Sequence, residues 1–218
     1  MEGRSILLEY LLTGSHYVDC LGRVCLRLTF DVGEVEGLKR LACNDRLESL
    51  GFVVNLESGE VRDSLRETGY VAKVEFEVLQ VLLAHYAKSD PVELSRKLVK
   101  FADLPGGRAY EGAFLKRAVQ PIADSFGDKP ERLPKCAKRL NGFALTYCDY
   151  SVEIPALPHL PLTIILWQQS EFPATATLLF DHSASTYLPT EDLAVLGELT
   201  TARLLHLSGI DSRRKLDP

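Results

Sequence analysis

The sequence lacks the patterns that mark membrane-spanning or secreted proteins. No apolar run reaches the roughly 18 residues needed to cross a bilayer. The longest, Leu160–Trp167, is interrupted by Pro161 and Thr163. The apolar patch at residues 6–8 ends at Glu9, so it does not resemble a signal-peptide core. These absences predict a cytoplasmic protein that has no membrane partner.

Cysteine is scarce and irregularly spaced. The chain has five cysteines, an odd number, and no C-x-x-C pair: Cys20, Cys25, Cys43, Cys136 and Cys148. A disulfide framework needs paired cysteines, and zinc or iron–sulfur knuckles need closely spaced ones. The spacing therefore predicts reduced thiols, no structural metal and no iron–sulfur cluster.

Basic residues are outnumbered, which disfavours nucleic acid as a partner. Thirty acidic and 25 basic residues give a net charge of −5. Residues 108–139 are the exception, because eight basic residues there outnumber four acidic ones. Arg132, Lys135 and Arg139 share one predicted helical face, where they are placed to bind an anionic cofactor or an acidic partner. A solvated helix face explains the same pattern.

Hydrophobic periodicity predicts both helices and strands. Residues 24–30 alternate as a strand does, whereas the apolar positions between 75 and 88 recur at helical spacing. A helix is predicted over 113–126, and Pro121 is expected to kink it or split it in two because proline lacks an N–H. A second is predicted to open with Asp128 as the N-cap and to run through Leu140.

The last third of the chain predicts a hairpin followed by a helix. Residues 162–167 are almost wholly apolar, as a central strand should be, and a second strand is predicted over 175–180. Thr190 is a candidate N-cap for a helix that ends at Gly209. The sequence shows no repeat or linker. We therefore expect one α+β domain over residues 1–210, with a mostly antiparallel sheet flanked by helices, and a flexible tail at 211–218.

Polar residues at the end of the second strand are candidate catalytic groups. Asp181, His182 and Asp192 could ligate a metal or move a proton. Their alternative roles are structural, because a carboxylate at a helix start complements the helix dipole and an aspartate caps a turn. Asp181, His182 and Ser183 cannot form a serine-hydrolase triad, because adjacent residues cannot face one another as nucleophile and base, and no G-x-S-x-G motif occurs. The sequence also has no phosphate-loop pattern.

The single tryptophan suggests a binding site. Trp167 is followed by an irregular loop that contains Glu171 and Phe172, and Phe180 lies on the next strand. These four residues are predicted to line a pocket for a small molecule or a partner segment. The alternative is a tryptophan packed in the core.

Several short motifs occur in an order that resembles a known family. They are Leu104-Pro105-Gly106-Gly107, the stretch from Phe114 to Ala123, Phe126-Gly127, Pro155-Ala156-Leu157-Pro158-His159-Leu160-Pro161, Trp167 with Glu171-Phe172-Pro173, Leu179-Phe180-Asp181 and Tyr187-Leu188-Pro189-Thr190-Glu191-Asp192. Over about residues 100–195 this order is similar to an uncharacterised prokaryotic family, a domain of unknown function found mainly in anaerobes.

The resemblance implies an accessory role in anaerobic cofactor or one-carbon metabolism. Some relatives are described as putative iron–sulfur proteins, but this chain has Gln168-Gln169-Ser170 where relatives are acidic and has no cluster-binding cysteine run. The leading hypothesis is therefore an accessory protein that binds a small molecule or a protein. Two alternatives stay open: a metal-dependent enzyme that uses Asp181, His182 and Asp192, and an oligomeric scaffold without a ligand.

Overall fold

The structure, a computed structural model, describes residues 16–18 and 24–209. By their contacts the residues fall into two compact units. The first runs to Glu48 and includes Phe52–Lys88, and the second consists of Ser49–Gly51 and the chain from Ser89 onward. A short helix expected near residues 5–12, and the tail at 211–218, lie outside the described residues. The single domain over 1–210 stays a prediction.

The first unit combines helices with small antiparallel sheets. Its three-stranded sheet has the order β3-β4-β5, and β1 pairs with β2. The elements are β1 (His16–Val18), β2 (Val24–Leu26), α1 (Val32–Ala42), β3 (Arg46–Ser49), β4 (Phe52–Asn55), β5 (Val61–Asp63) and α2 (Lys73–Tyr86).

Local sequence signals explain both helices of this unit. Asp31 caps α1 because its carboxylate accepts the Glu34 N–H at 2.7 Å, while the Glu34 side chain accepts the Asp31 N–H at 3.1 Å. In α2 the predicted apolar stripe is buried, which confirms the helix. The strand predicted over 24–30 is shorter than expected, since β2 ends at Leu26 and Arg27 forms only an isolated bridge to Glu60.

The second unit contains a five-stranded antiparallel sheet with the order β6-β10-β9-β8-β7. Its elements are β6 (Leu98–Lys100), α3 (Glu111–Phe114), a π-helical turn (Leu115–Val119), α4 (Gln120–Phe126), α5 (Arg132–Arg139), β7 (Phe143–Leu145), β8 (Tyr150–Leu157), β9 (Leu160–Trp167), β10 (Thr175–Asp181), α6 (Ala184–Tyr187) and α7 (Thr190–Ser208). The α+β class and the antiparallel sheet flanked by helices are confirmed, and β9 is the central strand, as predicted.

The register of the sheet separates its two faces. Ile154, Leu162 and Phe180 lie side by side on three neighbouring strands, and all three are fully buried. We call this the helix face, because α4 and α5 contact the sheet and also contact α7. Successive residues of a strand point to opposite faces, so Thr163 and Trp167 lie on the other side, the outer face.

Two helix starts differ from the sequence prediction. Glu131, not Asp128, is the N-cap of α5, and it makes no side-chain capping bond. Thr190 is the first residue of α7 and not its cap, because its hydroxyl donates to the Pro105 carbonyl at 2.7 Å. A tertiary contact has thus taken the place of a local cap.

The interruption predicted at Pro121 takes the form of a change of helix type. The π-helical turn ends at Val119 and α4 begins at Gln120, so Pro121 stands in the first turn, where its missing N–H costs nothing. Strand β8 is not among the predicted strands, because it contains Pro155 and proline disfavours a strand interior. Pro155 instead pairs with Pro161 next to a bulge, at the closed end of the β8–β9 hairpin.

Within the described part of the chain, no helix is both long enough and apolar enough to cross a membrane.

Candidate functional site

The candidate residues of the last third lie at opposite ends of the β9–β10 hairpin. Trp167 pairs with Thr175 at the loop end, and Leu162 pairs with Phe180 at the other end. Five residues of extended strand separate the two pairs, which is roughly 17 Å. Glu171 and Asp181 therefore belong to separate places.

Asp181 is a buried carboxylate that ties two segments together. One of its oxygens accepts the Ser183 hydroxyl at 2.6 Å and the Ser183 N–H at 2.9 Å. The same oxygen accepts the Ser95 hydroxyl at 2.8 Å and the Ser95 N–H at 3.0 Å. Burial raises the pKa of Asp181, but these hydrogen bonds outweigh it and lower the pKa below its usual value. Asp181 is therefore ionised and occupied with holding the segment that precedes β6.

Tyr187 fixes the same segment at a second point. Its hydroxyl donates to the Val92 carbonyl and accepts the Val92 N–H, both at 2.7 Å. Two of the short motifs, Leu179-Phe180-Asp181 and the one that begins at Tyr187, thus hold residues 89–97 against the end of the sheet.

Glu153 is a second carboxylate near this end, on the outer face beside Thr163. Burial is the main cause that raises its pKa, and the charge of Asp181 raises it further, against a smaller opposite effect of Arg96. The pKa shifts of the two carboxyl groups are therefore opposite, raised for Glu153 and lowered for Asp181.

The remaining catalytic candidates do not join Asp181. His182 is exposed, and its backbone N–H donates to the Lys97 carbonyl at 2.8 Å. Asp192 is buried in the first turn of α7. Among the described residues, no group of three or more His, Cys, Asp or Glu is placed to hold a metal ion.

The opposite end of the hairpin exposes aromatic side chains on two loops. Trp167 is 36% exposed, Phe172 76% and Tyr147 47%. The loops that carry them are joined by a hydrogen bond from the Gln168 N–H to the Asp149 carboxylate at 3.2 Å. We call Tyr147, Trp167 and Phe172 the loop-end surface. Glu171, also exposed, is the chain neighbour of Phe172.

Phe180 is not part of this surface, which corrects the predicted pocket. It is fully buried on the helix face, whereas Trp167 lies on the outer face at the other end of the hairpin. Its ring is 6.2 Å from that of Phe101 and 6.0 Å from that of Phe114, and those two rings stack at 4.2 Å. The alternation of the strand places Phe180 in the core.

The predicted basic face is present on α5. Lys135 and Arg139 are exposed and Arg132 is half-buried. Across the described chain, none of these three cations forms an ion pair. Burial raises the pKa of the neighbouring Cys136 thiol, while Arg139 and Arg132 oppose the rise. The cations are thus available to an anion from outside.

A cavity of about 1300 Å³ lies in the first unit, and four arginines line it: Arg27, Arg46, Arg62 and Arg66. Acidic neighbours balance most of that charge. Arg46 pairs with Glu48 at 3.0 Å, Arg62 with Glu60 at 2.9 Å and Arg66 with buried Asp63 at 3.3 Å. Helix α5 is therefore the stronger candidate for an anion-binding site than this cavity.

Sequence reasoning missed Ser95, Glu153 and Tyr147. Ser95 becomes important only through a partner 86 residues away in the chain. Glu153 lies in β8 and Tyr147 lies just before it, and this strand was not predicted because it contains Pro155. No local signal marks them.

The family comparison confirms one part of the resemblance, namely that the chain contains a domain of unknown function. Residues 45–203 match the model of the family described as Domain of unknown function (DUF3786). The match covers well over half of the chain, so the chain belongs to this family. It begins nearer the N-terminus than the core predicted at about residues 100–195. No curated protein and no solved structure matches the chain.

Proposed function

We propose that this protein is an accessory binding protein that captures a protein partner on the loop-end surface. The observation that carries the proposal is the exposure of Tyr147, Trp167 and Phe172 at one end of the sheet. Complete burial of a phenylalanine side chain is worth about 1.5–3 kcal/mol, and Phe172, at 76% exposure, forgoes most of that. Tryptophan and tyrosine are also the residues that most often dominate the binding energy of protein interfaces.

The chemistry of the other sheet end supports binding over catalysis. All side-chain hydrogen bonds of Asp181 go to Ser95 and Ser183, which is how a carboxylate holds a fold together. A general base works best when its pKa lies near the working pH, whereas these hydrogen bonds lower the pKa of Asp181. The proposed role in anaerobic cofactor or one-carbon metabolism comes from the resemblance alone, and the cytoplasmic location likewise stays a prediction.

Photo-crosslinking tests the proposal. A benzoylphenylalanine residue is placed at Phe172 in the source cells, and in a matched variant at Tyr110, an exposed aromatic residue of the same unit. We expect a discrete crosslinked protein from position 172 that is lost when Trp167→Ala is added. Identical products from both positions, or none from 172, would overturn the proposal.

Calorimetry separates a protein partner from a small ligand. The purified chain is titrated with flavin mononucleotide, cobalamin and adenosine triphosphate, and no heat is expected. Heat that disappears in Trp167→Ala would assign the loop-end surface to a planar small molecule instead. Elemental analysis of protein purified without chelator tests the alternative hypothesis of a metal-dependent enzyme. A stoichiometric bound metal would favour that alternative.

A further inference from the structure

The open edge of the five-stranded sheet lies beside the basic helix. β7 is the last strand in the order β6-β10-β9-β8-β7, and among the described residues no strand pairs with its outer side. Phe143 is 54% exposed and Ala144 is also exposed, so solvent reaches this edge. An open edge presents unpaired N–H and C=O groups that can accept another strand.

Helix α5 leads directly into this edge strand and packs on it. The Gly142 N–H donates to the Ala137 carbonyl at 2.8 Å, which closes the helix immediately before β7. A Cβ on Gly142 would lie 2.6 Å from the Glu153 carbonyl, so glycine allows this close approach of α5 and β8. Helix α5 contacts both β7 and β8 and therefore lies over the same edge of the sheet.

The cations of this helix and of the turn before it form no ion pairs among the described residues. Besides the three predicted ones, Lys129 and Lys138 are exposed, and neither forms an ion pair in the described chain. Residues 129–139 thus hold five cations and one acid, Glu131, on a chain whose net charge is −5. Their charge is complementary to an acidic ligand, and the excess of acid elsewhere disfavours a long polyanion.

We infer that β7 and α5 together form a docking site for an acidic, extended segment of a partner protein, which adds to the sheet as a sixth strand. A peptide is favoured over nucleic acid because only a peptide can pair with the backbone of the open edge. This inference goes beyond the proposed function, since it uses a different surface and does not depend on Trp167 or Phe172.

The sheet geometry specifies the pattern of the segment. Ala144 is paired with Val152 and so lies on the helix face, whereas Phe143 and Leu145 lie on the outer face. An added strand would alternate in the same way. Its acidic residues would face α5 and its apolar residues would lie beside Phe143 and Leu145.

A synthetic peptide of alternating glutamate and valine, eight residues long and fluorescein-labelled, is the probe. Binding to the full chain is followed by fluorescence anisotropy at low and moderate salt. We expect saturable binding that weakens at least tenfold in K135E/R139E, because two attractive charges become repulsive. The matched control R108E/K116E makes the same charge change at two exposed positions of the unit and should bind as the unaltered chain does.

Two further peptides test strand addition itself. One is N-methylated at its odd amides and the other at its even amides, so each loses the donors of one edge only. We expect one of them to lose binding at least tenfold while the other binds normally. Equal binding of the two N-methylated peptides would overturn strand addition. An equal loss of peptide binding in K135E/R139E and in R108E/K116E would overturn the docking site on α5.

The alternative partners are measured in parallel. A labelled 20-nucleotide single-stranded DNA and vesicles containing phosphatidylserine are titrated under the same conditions. Either one binding as tightly as the glutamate–valine peptide would show a general polyanion surface and overturn the inference. The crosslink at position 172 should survive K135E/R139E, so failure here and failure of the proposed function give different results.

Discussion

At the scale of single residues, the structure gives Asp181 a structural role and explains why it is charged. Four hydrogen bonds from two serines converge on one carboxylate oxygen, and they offset the cost of burial. Hydrogen bonds to a charged group contribute about 1.5–3 kcal/mol each to stability. Ser95 lies in a segment without regular structure, so this carboxylate is a principal reason for its position.

Asp181→Asn should lower the free energy of unfolding by about 2 kcal/mol at pH 7, because a neutral amide accepts these hydrogen bonds more weakly. The pKa of Asp181 is lower in the folded than in the unfolded chain. The stability that the ionised carboxylate contributes is therefore complete above the unfolded pKa of about 3.9, and it is lost as the pH falls through the folded pKa. Urea unfolding at pH 7 and pH 3 measures the effect.

The difference between Asp181→Asn and the unaltered chain should therefore shrink at pH 3. Glu171→Gln is the control, since Glu171 is exposed, and its stability should equal that of the unaltered chain at both pH values. A constant difference across this range would contradict the assignment of the charge to Asp181.

At the scale of elements, close contacts fix how α7 packs on the π-helical region. The Thr201 hydroxyl donates to the Ala118 carbonyl at 2.7 Å. A Cβ on Gly197 would lie 2.7 Å from the Phe114 ring, which is itself stacked on Phe101 and cannot move freely. Gly197 is therefore needed for this packing, although glycine weakens a helix.

Gly197→Ala should cost about 1–3 kcal/mol of unfolding free energy, because the overlap with Phe114 forces the helices apart. Gly112→Ala in α3 is a matched control, since a Cβ there meets nothing within 4 Å. That variant should be neutral or more stable by up to about 1 kcal/mol, the gain in helix propensity. Thermal and urea unfolding measure both, and equal effects would contradict the packing argument.

At the scale of the whole molecule, one hydrogen bond joins distant parts of the chain within the second unit. Arg203 is fully buried, and its Nε donates to the Leu50 carbonyl at 2.9 Å across 153 residues of sequence. Leu50 and Gly51 both have positive φ, 51° and 83°, as a tight hairpin turn requires. The family match at residues 45–203 starts just before this turn and ends at Arg203.

Arg203→Leu should destabilise the protein by about 3 kcal/mol, since a buried carbonyl loses its donor and a large side chain is lost from the core. Arg117→Leu is the comparison, because Arg117 is exposed and its ion pair with Glu198 is 3.6 Å long. Its loss should cost less than about 1 kcal/mol. Urea denaturation distinguishes the two, and a small effect at Arg203 would contradict a structural role for this contact.

The sequence by itself determined the elements whose signals are local and periodic. Helix α2, strands β9 and β10 and the α+β class follow from spacing, and the charge of α5 follows from composition, because these properties belong to residues near one another in the chain. Only the tertiary structure decided that Asp181 binds Ser95, that Thr190 binds Pro105, and that Phe180 and Trp167 face opposite sides of the sheet. The two hydrogen bonds join residues more than 80 positions apart, and the facing of Phe180 and Trp167 depends on strand register. No local sequence pattern specifies either kind of feature.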